Sequence, residues 1–358
     1  MKPLTLFLTL ALVVALNADV IKVGAVLPFS GDSAFLGEGM REGMQFALQE
    51  HPSARHKYQL IFEDSESKPG RTSLIAQKFA NIDKVNVICS IWGPECMAVC
   101  PIAENKKVVH MAGEWDTVWT KKYKYTVMLA PLCDDYGALQ YKMIKRWGSR
   151  RIAILQENTA DFDYAVPDFL APLKNDSALT ITCHEVYNPP VRDFRTVLIK
   201  AKETKPDLLL IWANQPESEI ILRQAKEMGL GCRISGYLEN LPEPAIAEGI
   251  SEICDSNPDE GFNTKYRAKF KHEPPFYAAY GYDQMDTIIR GCEKFDKTPA
   301  SEELIHALAT LEPWRGASGM IRPGSDRNLR MSFRILRYVN GKEVFDPDFA
   351  DLNKELGW

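Results

Sequence analysis

Apolar and polar positions follow a repeating order along this chain: a short run of β-branched and aliphatic residues, a polar loop, then a stretch with helical spacing. The cycle recurs about every thirty residues, the rhythm of βαβ units that build parallel sheets. The first apolar run covers 21–27, and the loop Pro28-Phe29-Ser30-Gly31 leads to a helix over 39–51 in which Met40, Met44, Ala47 and Leu48 share a face. Further strands are predicted over 58–62, 85–91 and 108–112. Their helices cover 72–80, where Leu74, Ile75 and Phe79 are apolar, and about 96–103. These elements complete one sheet by residue 130.

Pro131-Leu132-Cys133-Asp134-Asp135 breaks the pattern, which restarts with a helix keeping Tyr136, Leu139, Met143 and Trp147 at helical spacing. Strands over 151–155, 179–186, 208–212 and 233–236 follow, with covering helices over 164–173, 194–202 and 218–228. The polar segment 256–261 is a second break. Helices over 263–272, 276–295 and 301–311 come with too few strands for a third domain, so they complete the first. The expected class is α/β: two Rossmann-like lobes with parallel sheets flanked by helices, joined by several strands of chain. Residues 19–132 and 259–325 are expected to form lobe 1, and residues 133–258 and 326–358 lobe 2.

Such folds bind ligands at domain interfaces and beyond the carboxyl ends of parallel strands. The loops at 92–95, 113–117, 156–163, 213–215 and 236–239 all follow strands at that edge and should face each other across a cleft.

Residues 1–18 read as a secretory signal peptide: Lys2 gives a positive start, 4–16 an apolar stretch, and Leu16-Asn17-Ala18 a small-residue cleavage site before Asp19. No second apolar stretch is long enough to span a bilayer. With no Cys at the cleavage point, a lipid anchor is not expected and a soluble periplasmic protein is. The chain carries 43 Lys and Arg against 48 Asp and Glu, and removing Lys2 with the signal deepens that acidic excess by one. Without a long basic block, nucleic acid is not an expected partner.

Eight cysteines in an exported chain permit disulfides, but their pairing is not readable from sequence. Cys96, Cys100 and His110 have the elements of a metal site, yet no tight Cys-x-x-Cys or His-x-x-x-His pair accompanies them and no metal is expected. No Gly-x-Ser-x-Gly elbow, His-Glu-x-x-His helix or phosphate loop occurs. Gly37, Gly39 and Gly43 have the wrong spacing for a dinucleotide loop and read as a flexible loop at the cleft edge. Neither enzymatic activity nor a cofactor is expected.

The cleft loops are more informative. Trp92 and Gly93 end one strand and Glu114, Trp115 and Asp116 the next, while Asp161, Phe162, Asn214, Tyr237 and Glu239 stand on the opposite side. Carboxylates beside aromatic faces suit a cationic ligand through ion pairing and cation–π attraction. Any one of these acids reads equally well as a helix N-cap or a solvated loop residue. Together the ten are the candidate ligand-binding residues.

The segment Ile21-Lys22-Val23-Gly24-Ala25-Val26-Leu27-Pro28-Phe29-Ser30-Gly31 resembles the start of the branched-chain amino acid and amide binding proteins of ABC importers. Residues 151–155 (RIAIL), 205–209 (KPDLL) and 221–226 (ILRQAK) through Gly229-Leu230 resemble that family in order and spacing, so the likeness spans the whole mature chain. It implies a type I periplasmic-binding fold, a three-stranded hinge and lobes that close on the ligand. It also implies delivery of a small amino acid, amine or amide to an ABC importer permease by a monomeric receptor. In the family, hydroxyl residues after the third and fourth strands hold the ligand's carboxylate and amine. Those positions fall here at Gly93 or Pro94 and at Glu114 to Asp116, where acids would repel a carboxylate. The ring-stacking tyrosine falls near Asp161 or Phe162, a second contact near Asn214, and the ammonium-binding acid near Leu238 or Glu239. A conventional branched-chain amino acid binder and a ligand-binding sensor subunit for a signalling receptor stay open as alternatives.

Overall fold

A computed structural model describes residues 20–358 apart from 32, 239–240, 256–257 and 276. The expected signal segment lies outside the described residues. The chain begins with five strands, β1 (Val20–Leu27), β2 (Lys57–Asp64), β3 (Val87–Ile91), β4 (Val109–Gly113) and β5 (Thr126–Ala130). Between them run α1 (Ala34–Glu50), α2 (Pro69–Lys78), α3 (Gly93–Lys106) and α4 (Val118–Lys122). All pairings among these strands are parallel. β3, β4 and β5 are buried at every residue, as parallel strands covered on both faces must be. One face packs Val23, Val87, Val109 and Val127 on Met40 and Met44 of α1, the other packs Val26 and Ile88 on Ile75, Phe79 and Val99. The pattern reading contains no strand at 126–130, because a run covered on both faces shows no polar alternation.

The second unit runs through α5 (Cys133–Trp147), β6 (Arg151–Glu157), α6 (Ala160–Lys174), β7 (Thr180–Tyr187), α7 (Arg195–Glu203), β8 (Leu208–Trp212), α8 (Glu217–Glu227), β9 (Arg233–Tyr237) and β10 (Ser251–Cys254). Its parallel sheet has the order β7-β6-β8-β9. The chain then forms α9 (Glu260–Phe270), α10 (Ala278–Cys292), α11 (Ser301–Ala309), β11 (Trp314–Gly316), β12 (Gly319–Pro323) and β13 (Asn328–Met331). It ends in β14 (Arg334–Val339), β15 (Lys342–Phe345) and α12 (Ala350–Leu356).

The three closing strands of the first unit extend its sheet to eight, in the order β11-β12-β13-β5-β4-β3-β1-β2. β13 pairs in parallel with β5, Leu329 opposite Leu129, so residues 328–331 lie in the first sheet and not in the second unit where 326–358 are expected. β10, β14 and β15 form a separate antiparallel sheet, and Phe333 and Ile335 join the core of the second unit. The chain therefore passes between units three times, after β5, after β10 and after β13, as the type I periplasmic-binding architecture requires. At this hinge the Arg330 guanidinium of β13 reaches Asp134 and Asp135 in the first turn of α5 at 2.8 Å. The C-terminal Trp358 ring lies under the guanidinium groups of Arg315 and Arg334 at 5.1 and 4.6 Å.

Gly37, Gly39 and Gly43 belong to α1 and are no flexible loop. A Cβ on Gly43 would stand 1.9 Å from the Ala278 carbonyl oxygen, and one on Gly281 of α10 would stand 2.2 Å from that of Met40. Glycine at these two positions lets α1 and α10 touch backbone to backbone. That contact fixes the N-terminal end of α10, which points its first turn at the cleft.

Candidate functional site

A cavity of about 110 Å3 opens between the two units, at the carboxyl ends of both parallel sheets. Ile91 and Trp92 at the end of β3, and Gly113, Glu114 and Trp115 at the end of β4, line it from lobe 1, with Tyr277 and Tyr280 from the start of α10. Lobe 2 contributes Phe162 and Ala165 of α6, Asn214 after β8 and Tyr237 at the end of β9. Pro131 and Asp255 come from two of the crossings.

The aromatic walls meet near right angles. Trp115 of lobe 1 packs on Tyr237 of lobe 2 with ring centroids 5.2 Å apart and planes at 75°. Phe162 meets the same tyrosine at 6.2 Å and 79°, and Tyr277 meets Tyr280 at 5.7 Å and 61°. Trp115 also packs against the lobe 2 core although its strand belongs to lobe 1. The cavity is thus completed by both lobes.

Two of the rings sit on strained backbone. Trp92 has φ 69° and ψ 142°, and Tyr277 is left-handed at φ 66° and ψ 4°. Each such conformation costs about 1–3 kcal/mol for a residue with a side chain. Folding alone would favour glycine at both places. Tyr280 is held differently: a Cβ on Gly113 would meet its hydroxyl at 2.8 Å, so glycine there leaves room for the ring, and the hydroxyl donates to the Leu129 carbonyl.

The pocket is electronegative. Glu114 is 6% and Asp255 8% exposed, and among the described lining residues there is no Lys, Arg or His. The Tyr280 phenol is pushed far above its ordinary range, first by burial and then by the neighbouring acidic groups, Glu114 and Asp255 among them. Behind Trp92, the Glu95 carboxyl is pushed up to about 7 by burial; the Ser65 hydroxyl, donating at 2.9 Å, opposes the rise and the Asp64 charge adds to it.

Of the ten candidate residues, Trp92, Glu114, Trp115, Phe162, Asn214 and Tyr237 line this cavity. Gly93 opens α3 behind Trp92. Asp116 turns away, its carboxylate accepting the Val118 amide at 2.8 Å at the start of α4; burial and the charge of Asp168 raise its pKa. Asp161 lies in the first turn of α6 with its side chain outside the described set, and Glu239 lies outside the described residues. Glu157, the last residue of β6, accepts the Asn214 amide at 2.7 Å and so positions the loop after β8.

Sequence reasoning missed Asp255, Tyr277 and Tyr280. The two tyrosines flank a helix start after Pro274-Pro275, an aromatic cluster that could have marked a third cleft-facing turn. Asp255 borders a segment that reads only as a polar break.

Cys96, Cys100 and His110 do converge, but as a hydrogen-bonded core. His110 Nε2 is 2.7 Å from the Ser90 hydroxyl, and its Nδ1 lies 3.4 Å from Thr126 Oγ1 and 3.6 Å from Cys100 Sγ. Burial pushes the imidazole down to about 3, which keeps it neutral. Among the described residues no group of three or more His, Cys, Asp or Glu side chains is placed to hold a metal, and no helix is long and apolar enough to cross a membrane.

A family model described as periplasmic binding protein matches residues 20–343. A leucine-, isoleucine-, valine-, threonine- and alanine-binding protein of Pseudomonas aeruginosa is 22% identical over 334 residues, covering 88% of this chain and 89% of the relative. A leucine binding protein of Thermotoga maritima superposes with a TM-score of 0.77 at 21% identity, covering 91% of this chain and 97% of its own. A solute binding protein of an R. palustris ABC transporter, solved with benzoate, gives 0.75 at 18% identity, covering 91% and 95%.

Proposed function

The chain belongs to the periplasmic binding protein family, and from that membership we propose that it is the solute receptor of an ABC importer, closing its lobes on a small organic cation. One observation carries the choice of ligand: the lining holds two buried carboxylates and six aromatic rings, and no cationic side chain among its described residues. An anion entering such a site would lose its hydration and meet like charge, a cost of several kcal/mol. A cation gains from both the carboxylates and the ring faces.

In this reading Trp92, Trp115, Phe162 and Tyr237 form the walls with Tyr277 and Tyr280, and Glu114 and Asp255 supply the negative field. Asn214 reads a polar group on the ligand. The protein is exported through its first eighteen residues, acts as a monomer in the periplasm and docks on a permease after closure. It binds and releases without changing its ligand.

The Pseudomonas relative's name favours a second reading, a zwitterionic amino acid whose ammonium group faces the two acids. Isothermal titration of the mature protein with ethanolamine, leucine and benzoate separates the cases. Ethanolamine should bind and benzoate should not, and Glu114→Gln should weaken ethanolamine binding about tenfold, or about 1.4 kcal/mol. Binding of leucine alone would establish the second reading, and binding of benzoate alone would overturn both.

A further inference from the structure

We propose that the pocket is an aromatic box selective for a fully N-methylated ammonium group over a primary amine. The inference rests on the cation-receiving reading above and adds the class of cation. Its first support is the disposition of the rings. Trp115 and Phe162 stand nearly perpendicular to Tyr237, and Tyr277 is steeply inclined to Tyr280, so the walls differ in direction as the sides of a box do. A methylated ammonium spreads its charge over its methyl groups, and each methyl can lie on a ring face.

The second support is the state of the acids. A primary ammonium carries three N–H donors and needs an acceptor for each when it leaves water. Glu114 and Asp255 both already engage neighbouring groups of the protein, and the Tyr280 hydroxyl is committed to the Leu129 carbonyl. A quaternary ammonium requires only the potential and the ring faces, whereas a primary amine must also find an acceptor for each N–H in a lining dominated by rings.

The third support is the strain. Trp92 and Tyr277 hold large rings at the cavity from backbone conformations that favour glycine. Because Trp115 belongs to lobe 1 and Tyr237 to lobe 2, the box is assembled by lobe closure.

Calorimetric titration with matched pairs tests the assignment: choline against ethanolamine, and tetramethylammonium against methylammonium. The quaternary member of each pair should bind at least tenfold more tightly. Tyr237→Leu should weaken choline binding about tenfold, whereas Tyr237→Phe, which keeps the ring, should stay within about twofold, with thermal unfolding confirming that both variants fold. Primary amines that bind as tightly as their methylated partners would overturn the box and leave the cation receptor standing. If neither member of either pair binds, the box and the reading beneath it fall together. A Tyr237→Leu variant that folds and binds choline unchanged would also overturn the box.

Discussion

Lobe 1 brings its pocket residues in on strained backbone and buried charge, whereas lobe 2 brings its own in on relaxed strand and helix ends. Trp92 and Tyr277 have positive φ, and no described lobe 2 lining residue does. Glu114 and the carboxyl of Glu95 behind it are lobe 1 groups, buried where water cannot solvate them. The sheets themselves are alike. Both are clad on both faces, and the edge strands β2 and β7 are each exposed or half-exposed at every residue. The difference teaches that strained rings and buried acids collect in the lobe where α1 and α10 touch backbone to backbone, while its partner presents ring faces and Asn214 that complete the site on closure.

The largest test of that comparison is at the α1–α10 contact. Gly281→Ala would drive a Cβ into the Met40 carbonyl and should cost about 3 kcal/mol in chemical denaturation, with loss of amine binding as Tyr277 and Tyr280 shift. In lobe 2, Gly148 caps α5 at φ 71° with nothing within 4 Å of an added Cβ, and Gly148→Ala should cost only about 1 kcal/mol. Equal losses would erase the asymmetry.

A test of intermediate size uses pH. The Glu95 carboxyl titrates near 7 in the folded protein and near its ordinary 4.5 when unfolded. Below about 4.5 it is protonated in both states and costs nothing. As pH rises toward 7 the folded state keeps a proton that the unfolded chain has released, so stability falls, and above 7 the penalty is complete. Glu95→Gln should therefore stabilise the protein by up to about 3 kcal/mol at pH 8 and by almost nothing at pH 4. Unfolding midpoints that differ equally at both pH values would show that lobe 1 holds no such buried charge.

The smallest expected effect sharpens the point about strain. Tyr277→Gly relieves a left-handed residue while removing a ring packed on the lobe 1 core, so the two terms should nearly cancel, within about 1 kcal/mol. Amine affinity should nevertheless drop about tenfold. A large loss of stability in thermal unfolding would mean that the ring serves folding and not the site.

The amino-acid sequence by itself determined the alternation of strands and helices, the α/β class and the six cleft residues that follow strand ends. Those features are local: an apolar run, a helical face or a loop after a strand is visible within a dozen residues. Trp92, Glu114, Trp115, Asn214 and Tyr237 were legible because the chain order of a parallel sheet puts each strand's end at one edge. Tertiary structure decided the rest. β11 to β13 are three to five residues long, too short to show a period, and their place beside β5 comes from pairing across some two hundred positions. Asp116 and Glu114 look equivalent in sequence, yet a turn of backbone commits one to the Val118 amide and leaves the other in the cavity wall. Tyr277, Tyr280 and Asp255 reach the pocket only because α10 docks on α1 and the chain crosses back after β10. Proximity between residues far apart in sequence is set by packing, and no local pattern carries it.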